Sequence, residues 1–147
     1  MQLIRILKRV GVLAVAVTAT LLSSVPAQAY PFWQAVNTNA NWHCGPTTHH
    51  VASTKVFFQS CIVLTPDRKK GQSVLVVRND ASVAISIHGT TNNNFGGSAP
   101  CNVSTLNPGR LTGCYGPTVS VVGLALKADG HLVMNNIGDE TQVATLL

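Results

Sequence analysis

The stretch from Gln72 to His88 constrains this chain most, because it contains two strand-like runs separated by a turn. The first run, Val74–Val77, is a continuous apolar block, which is typical of a strand that is covered on both faces. Residues 79–82 have turn chemistry, and from Val83 onward apolar residues alternate with small or polar ones, as in a strand with one covered face. We therefore predict that the two runs pair as a β-hairpin within an antiparallel β protein.

The first 29 residues have the features of a secretory signal peptide. Three basic residues precede an apolar run from Gly11 to Leu22, and Ala27 and Ala29 match an A-x-A cleavage site. The apolar run is too short for a membrane-spanning helix, which requires roughly 20 residues. We expect cleavage after Ala29, secretion to the extracellular space and no stable membrane insertion afterwards. The less favoured alternative is an uncleaved membrane anchor.

Removal of residues 1–29 leaves enough chain for one domain with a hydrophobic core of its own. It also removes three of the ten basic residues, so that seven Lys and Arg residues face five Asp and Glu residues. The net charge of the chain therefore falls from +5 to +2. A charge this small gives no support for nucleic-acid binding, and we expect none.

All four cysteines lie after the predicted cleavage site, and an even number of cysteines in an exported chain indicates two disulfides. Three pairings are possible, and the sequence alone does not choose between them. We favour Cys44 with Cys61 and Cys101 with Cys114, because each pair encloses a segment with turn residues and would cross-link a hairpin or loop. Each disulfide should then stabilise the fold by about 3 kcal/mol in the chain-entropy model.

We predict an extended N-terminal arm at residues 30–41 and a β domain at residues 42–147. The run Val51–Thr65 has apolar residues of both parities, which predicts a central strand. Residues 66–71 contain three consecutive cations and should form a solvated connection. The small and polar residues of 89–100 predict a long loop.

The last third of the chain adds further turns and strands. Asn107-Pro108-Gly109 suits a type II turn, and Asp129-Gly130 suits a hairpin turn. In the strand predicted at Thr118–Lys127 the apolar phase changes beside Gly123, as it does at a β-bulge. Residues 141–147 can form an edge strand. This gives six to eight strands, which is typical of an antiparallel immunoglobulin-like β-sandwich, with a small closed barrel as the alternative.

Histidine is the first residue type to test for chemistry, since neutral imidazole binds zinc and copper. The five histidines are His43, His49, His50, His88 and His131. Their spacing lacks the i, i+4 pattern of a zincin, and disulfide formation would remove the cysteines as thiolate ligands. We therefore predict no metal site and no cofactor.

Catalytic motifs give no stronger signal. The G-x-S-x-G motif is absent, and a Ser-His-Asp triad can be drawn only by choosing among scattered residues. The five carboxylates are Asp67, Asp80, Asp129, Asp139 and Glu140. At least two of them lie in predicted turns, where Asp is favoured for local backbone reasons, so a converging glycosidase pair is not indicated. We predict that the protein is not an enzyme, and a metal-dependent enzyme is the least favoured alternative.

A binding role has better physical support, because a disulfide-tied loop loses little entropy when it contacts a partner. We predict that the segment between Cys101 and Cys114 presents a binding surface to an extracellular protein or a cell-surface component. The candidate contact residues are Leu106, Arg110, Leu111 and Tyr115. Inhibition of a secreted peptidase is a specific version of this hypothesis, and the favoured alternative is that the loop only connects two sheets.

The layout resembles that of small exported bacterial proteins of unknown function with an immunoglobulin-like β-sandwich. The resemblance rests on the following segments: AQA-Y at Ala27–Tyr30, Trp42-His43-Cys44, FFQSCIVL at Phe57–Leu64, VLVVRND at Val74–Asp80, and the turn Leu106-Asn107-Pro108-Gly109. It implies a fold and a location outside the cell, and it implies no catalytic residues. The sequence as a whole predicts a secreted, non-enzymatic binding module.

Overall fold

The computed structural model describes residues 33–147, and these residues form an all-β protein. The predicted signal peptide at residues 1–29 and the first three residues of the predicted arm lie outside the described residues. Within the described range, no helix is long and apolar enough to cross a membrane.

Eleven strands lie within residues 33–147. They are β1 Trp33–Gln34, β2 Trp42–Cys44, β3 Thr48–His50, β4 Ser53–Leu64, β5 Lys70–Asn79, β6 Ile85–Asn93, β7 Ala99–Leu106, β8 Arg110–Tyr115, β9 Val119–Ser120, β10 Ala125–Met134 and β11 Ile137–Leu146. The larger sheet has the order β1-β8-β5-β4-β2, with β3 also on β4 and β9 on β5. The smaller sheet has the order β11-β10-β6-β7, and the strand pairs of both sheets are antiparallel.

The two sheets pack face to face and bury two apolar clusters between them. The lower core contains Val56, Phe58, Leu75, Val77, Ile85, Ile87, Cys101, Leu106, Cys114, Leu132 and Met134. The upper core contains Ile62, Leu64, Phe95, Leu126, Ala128 and Val143. Both clusters take residues from both sheets, so the prediction of a two-sheet antiparallel protein is confirmed.

Small and polar residues separate the two cores, where the sheets approach closely. The hydroxyl of Ser60 donates a 3.2 Å hydrogen bond to the carbonyl oxygen of Thr141. Gly130 lies opposite it, and a Cβ on this glycine would be 2.8 Å from both Leu75 Cδ1 and Ser60 Oγ. Glycine at this position therefore permits the approach of β10 to the larger sheet.

Both disulfides have the pairing favoured from the sequence. Cys44 and Cys61 face each other across β2 and β4, on the outer face of the larger sheet. Cys101 and Cys114 join β7 to β8 and so connect the two sheets through the lower core. Two disulfides are consistent with an oxidising extracellular environment. These bonds and both apolar clusters lie within residues 33–147.

In the Gln72–His88 stretch the strand at Val74–Val77 is confirmed. The second strand begins at Ile85 and leaves Val83 62% exposed, and the predicted hairpin is wrong. Residues 74–77 are all buried in β5, so both faces of this strand are covered. However, β5 and β6 lie in different sheets, and β5 forms its hairpin with β4. Asn79 explains the crossing, since its fully buried amide donates 2.9 Å hydrogen bonds to the carbonyl oxygens of Val83 and Leu106. These bonds hold the turn between the layers.

The long loop predicted at residues 89–100 is also wrong. Residues 89–93 belong to β6, residues 99–100 belong to β7, and only a short connection lies between them. Thr91 and Gly89 are buried on the inner face, and Phe95 is buried in the upper core. The sequence did not predict this part of β6 because Gly89 and Thr91, which are not large apolar residues, occupy its inward positions where the sheets lie close together.

The predicted strand at Thr118–Lys127 is interrupted. The chain leaves the larger sheet after β9, turns at Gly123, which has a φ of +93°, and enters β10 of the smaller sheet. The phase change beside Gly123 therefore marks a change of sheet, and no β-bulge forms there. The hairpin predicted at Asp129-Gly130 is wrong, because both residues lie within β10.

The hairpin between β10 and β11 turns instead at Asn135 and Asn136, whose φ values are +48° and +69°. Asparagine tolerates the left-handed region, and two such residues in succession suit a type I′ turn. The prediction that residues 141–147 end in an edge strand is confirmed, since β11 is the first strand of its sheet.

Candidate binding surface

The outer face of the larger sheet is unusually apolar for a surface that faces away from the core. Cys61, Val74 and Val76 point outward from β4 and β5 and are all at most 4% exposed. Apolar residues on the second face of a sheet must be covered by another part of the molecule or by a partner.

The N-terminal segment covers one half of this face. β1 pairs with β8 at one edge of the sheet, β2 pairs with β4 near the other edge, and residues 35–41 connect the two; we call this connection the strap. Val36 of the strap and Trp42 of β2 pack on the outward cluster of Cys61, Val74 and Val76. The predicted arm is therefore in contact with the domain over its described residues.

Tyr115 and the strap hold each other in place. The Tyr115 hydroxyl donates a 3.0 Å hydrogen bond to the carbonyl oxygen of Ala35, and its ring makes an edge contact with Trp42 at a centroid distance of 5.9 Å. Partial burial raises the pKa of the Tyr115 phenol, because loss of water disfavours the phenolate.

The other half of the face carries four side chains in a single row across four neighbouring strands. His49 of β3 is opposite Phe57 of β4, Phe57 is opposite Arg78 of β5, and Arg78 is opposite Leu111 of β8. We call these residues the outer row. Each pair in this register faces the same side of the sheet, so the row forms a continuous strip.

Contacts within the outer row fix its geometry. The guanidinium carbon of Arg78 lies 4.7 Å from the centroid of the Phe57 ring. On the other side of Phe57, the centroid of the His49 ring lies 4.6 Å from the same centroid. Arg78 also forms a 2.9 Å ion pair with Asp80. Leu111 completes the row with 47% of its surface exposed.

A small hollow of about 60 Å³ lies beside the outer row. Its lining consists of Thr47, Phe57, Phe58, Gln59, Val76, Arg78 and Leu111. The hollow has room for an anchoring group of a partner, such as a few methyl groups, but it is too small for a drug-sized ligand. This favours a protein partner that presents one side chain to the hollow.

The structure separates the four contact residues predicted from the sequence. Leu106 is only 5% exposed and belongs to the lower core, so its prediction as a surface contact is wrong. The reason is that Leu106 is opposite the buried Ile85 in the pairing of β7 with β6, so its side chain faces the space between the sheets. Leu111 lies in the outer row, Arg110 is exposed at the start of β8, and Tyr115 lies under the strap.

The segment between Cys101 and Cys114 does not form a long presented loop. It consists mostly of β7 and β8, joined by the exposed turn Asn107-Pro108-Gly109. Gly109 has a φ of +70°, and the Arg110 amide donates to the carbonyl oxygen of Asn107, as the type II turn prediction requires. The segment therefore connects two sheets, which was the alternative to a binding loop.

Sequence reasoning missed three members of the outer row: His49, Phe57 and Arg78. The apolar residues of both parities in the run Val51–Thr65 were a usable signal, because they indicate that Phe57 faces a covered or interacting surface. The neighbours of Phe57 could not be predicted in this way, since they depend on the register in which β3 and β5 pair with β4.

A wider groove of about 550 Å³ lies at the side of the sandwich, between residues 44–46 and the strands β10 and β11. Asp129 and Lys127 contribute charges of opposite sign to its wall. The Asp129 carboxylate accepts a 2.9 Å hydrogen bond from the Asn92 amide and so already has a partner. The groove is open, and its lining is of mixed polarity, with Pro46, Val143 and Ala144 beside the charged residues.

The histidines and carboxylates are spread over the molecule. Among residues 33–147, no group of three or more His, Cys, Asp or Glu side chains is arranged to hold a metal ion. His50 is buried in the core, where Nε2 lies 3.4 Å from the carbonyl oxygen of Leu132 and Nδ1 accepts from the Ala52 amide at 3.1 Å. Asp139 accepts a 2.7 Å hydrogen bond from the amide of Val51.

The sequence matches no protein-family model and no curated protein at a significant level.

Proposed function

We propose that this protein is a secreted, non-enzymatic β-sandwich of immunoglobulin-like kind that binds an extracellular protein through the outer row. The single observation that supports this proposal is the row itself: an aromatic ring, a guanidinium group and an exposed leucine aligned on one sheet face. Aromatic and Arg side chains dominate the binding energy of protein interfaces, where they pair with apolar and acidic groups.

The charges around the outer row indicate the chemistry of the partner. Lys55 is exposed two residues before Phe57 on β4, and Asp80 forms an ion pair with Arg78. Arg78 has five N–H donors, so the ion pair with Asp80 leaves donors for a second acceptor. The surface therefore fits a protein segment with an apolar anchor for the hollow and at least one carboxylate beside it.

Rigidity of the row supports a binding role as well. Phe57, Arg78 and Leu111 lie on β4, β5 and β8, which are paired on both sides, whereas His49 lies on β3, which pairs with β4. The Cys101–Cys114 disulfide connects β8 to the opposite sheet. A surface that is already ordered loses little conformational entropy on association, so more of the contact energy appears as affinity.

The test is an affinity capture with tagged protein beginning at Tyr30, from culture medium and from intact cell surfaces. The variant Leu111→Asp places a carboxylate in the row, and Val103→Asp makes the same type of change at a residue that is 73% exposed on the smaller sheet. We expect a protein captured by the parent and by Val103→Asp but not by Leu111→Asp. Purified partner should then bind Leu111→Asp at least about 30-fold more weakly, as expected for loss of an interface hot spot.

Equal capture by both variants would exclude the outer row as the binding surface. Arg78→Ala is a second test of the outer row, because it removes the cation but leaves Phe57 in place. If Arg78→Ala binds the partner as tightly as the parent does, the carboxylate is not part of the recognised segment.

A further inference from the structure

Three exposed apolar side chains lie together at the upper end of the sandwich. Val122, Leu124 and Leu146 are 78%, 76% and 74% exposed. Leu146 is paired with Ala125, and the amide of Leu147 donates a 3.0 Å hydrogen bond to the carbonyl oxygen of Leu124. These contacts connect the C-terminal strand to the turn at Gly123, so we call the three residues the end patch.

A group of cations borders the end patch. Arg68 and Lys69 are exposed in the connection between β4 and β5, and Lys70 is exposed at the start of β5; we call these three residues the basic turn. The amide of Val121 donates a 2.9 Å hydrogen bond to the carbonyl oxygen of Lys69, and Lys70 is opposite Ser120 in the pairing of β5 with β9. The basic turn and the end patch are therefore neighbours at one end of the molecule.

The single carboxylate beside the basic turn offsets only one of these three cations. Asp67 accepts a 2.6 Å hydrogen bond from the Thr65 hydroxyl and a 3.1 Å hydrogen bond from the amide of Lys69. These bonds lower the pKa of Asp67, so its carboxylate keeps its negative charge. Three cations against one internally bonded carboxylate leave this end of the protein positive.

The end patch also projects from the fold. Gly123 has a φ of +93°, and a Cβ on this residue would meet no atom within 4 Å, so the turn that carries Val122 and Leu124 is open to its surroundings. Val121 and Leu147 pack against the upper core and fix the base of the turn. The apolar side chains are thus presented outward from an anchored base.

From this juxtaposition we propose that the upper end of the sandwich binds peripherally to a lipid bilayer that contains anionic head groups. Val122, Leu124 and Leu146 enter the interfacial region, and the basic turn contacts the lipid phosphates. A lipid surface satisfies both observations, because burial of apolar groups and attraction of cations to anionic lipids are the two contributions to interfacial binding. A soluble polyanion would pair with the cations but would leave the end patch in water.

This inference does not depend on the proposed function, because the two surfaces lie apart. Lys70 and Arg78 are at opposite ends of β5, and a separation of eight residues corresponds to about 26 Å along a strand. A protein bound to lipid through its upper end would still present the outer row to a partner.

The test is co-sedimentation of the chain from Tyr30 onward with lipid vesicles. One set of vesicles contains phosphatidylcholine alone, and the other contains phosphatidylcholine and phosphatidylglycerol in equal amounts. We expect binding to the anionic vesicles, little binding to the neutral ones, and a marked loss of binding at high sodium chloride, since salt screens the attraction between exposed charges.

Two double variants test the end patch and the basic turn. Val122→Asp with Leu124→Asp should lower the partition coefficient at least about tenfold, because two apolar groups are lost and the new carboxylates are repelled by anionic lipid. Lys69→Glu with Lys70→Glu should lower it at least about 25-fold, since each cation near an anionic membrane contributes about fivefold. The matched control is Val83→Asp with Val103→Asp, which changes two exposed valines outside the upper end and should bind like the parent.

Circular dichroism and thermal unfolding of each variant verify that the fold is retained. The proposal is overturned if the parent does not sediment with anionic vesicles, if neutral vesicles bind it equally, or if the control pair loses as much binding as the end-patch pair. It is also overturned if the parent is a dimer in the absence of lipid and the end-patch pair is a monomer, because the patch would then be an interface between two copies of this chain.

Discussion

The indole Nε1 of Trp33 donates a 2.7 Å hydrogen bond to the carbonyl oxygen of Asn102. Trp33 begins β1 of the larger sheet and Asn102 lies in β7 at the edge of the smaller sheet, so this bond joins the two layers close to the Cys101–Cys114 disulfide. The Trp33 ring also packs against the lower core. Trp33 thereby stabilises β7, which is an edge strand of the smaller sheet.

Substitution of Trp33 should separate these two contributions. Trp33→Phe removes the hydrogen bond and should lower the free energy of unfolding by about 1 kcal/mol, whereas Trp33→Ala also removes the packed ring and should lower it by about 3 kcal/mol. Urea unfolding followed by circular dichroism measures both values. An equal loss in the two variants would mean that the ring packing contributes nothing.

Asn79 should be one of the most sensitive positions in the protein. Its side chain is fully buried, and Asn79→Ala leaves the carbonyl oxygens of Val83 and Leu106 without their donor. We expect a loss of about 3 kcal/mol in the free energy of unfolding, because buried polar groups are left unsatisfied. The exposed Asn107 provides the control, since Asn107→Ala should cost less than about 1 kcal/mol in the same denaturant titration.

Gly130→Ala should destabilise the close approach between the sheets. The added Cβ would be 2.8 Å from Leu75 Cδ1 and Ser60 Oγ, both inside the fold, and we expect a loss of about 1–3 kcal/mol from overpacking. At Gly138 the added Cβ would instead meet the ring of His131, which is partly exposed and can rotate away. Gly138→Ala should therefore have the smaller effect on the melting temperature, and the reverse order would contradict this explanation.

The two disulfides should differ in their rate of reduction under native conditions. Cys44 is exposed, whereas Cys101 and Cys114 are at most 5% exposed. Thiol–disulfide exchange requires access of the attacking thiolate to sulfur, so a mild reductant should open Cys44–Cys61 first. Alkylation at intervals followed by peptide mass spectrometry identifies the cysteines that react, and early labelling of Cys101 would be inconsistent with the buried position.

Ionisation of Tyr115 should weaken the attachment of the strap at alkaline pH. Because desolvation raises the pKa of Tyr115 in the folded protein, the unfolded chain loses this proton at lower pH than the folded protein does. The contribution of this group to stability is therefore present below the ordinary tyrosine pKa and falls as the pH rises through that value. Ultraviolet difference absorbance should show a phenol with a raised pKa in the parent that is missing from Tyr115→Phe.

Some features of the fold could be predicted from the sequence alone. The apolar block Val74–Val77 predicted a strand covered on both faces, and Pro108-Gly109 predicted a tight turn, because both signals are local properties of the backbone and its side chains. The cysteine pairs were favoured correctly since each encloses a short segment. Each of these features depends on residues that are close together in the chain, so the sequence is sufficient to predict it.

The partners of each strand were decided only by the tertiary structure. Alternation in Ile85 and Ile87 indicates which face of β6 is apolar, but it does not say whether that strand pairs with β5 or faces it across the core. The buried amide of Asn79 decides this by bonding to residues 4 and 27 positions away. The outer row has the same origin, since His49, Phe57, Arg78 and Leu111 become neighbours only when four strands take up their register. Local periodicity determines the faces of strands, whereas long-range packing and hydrogen bonds determine which faces meet.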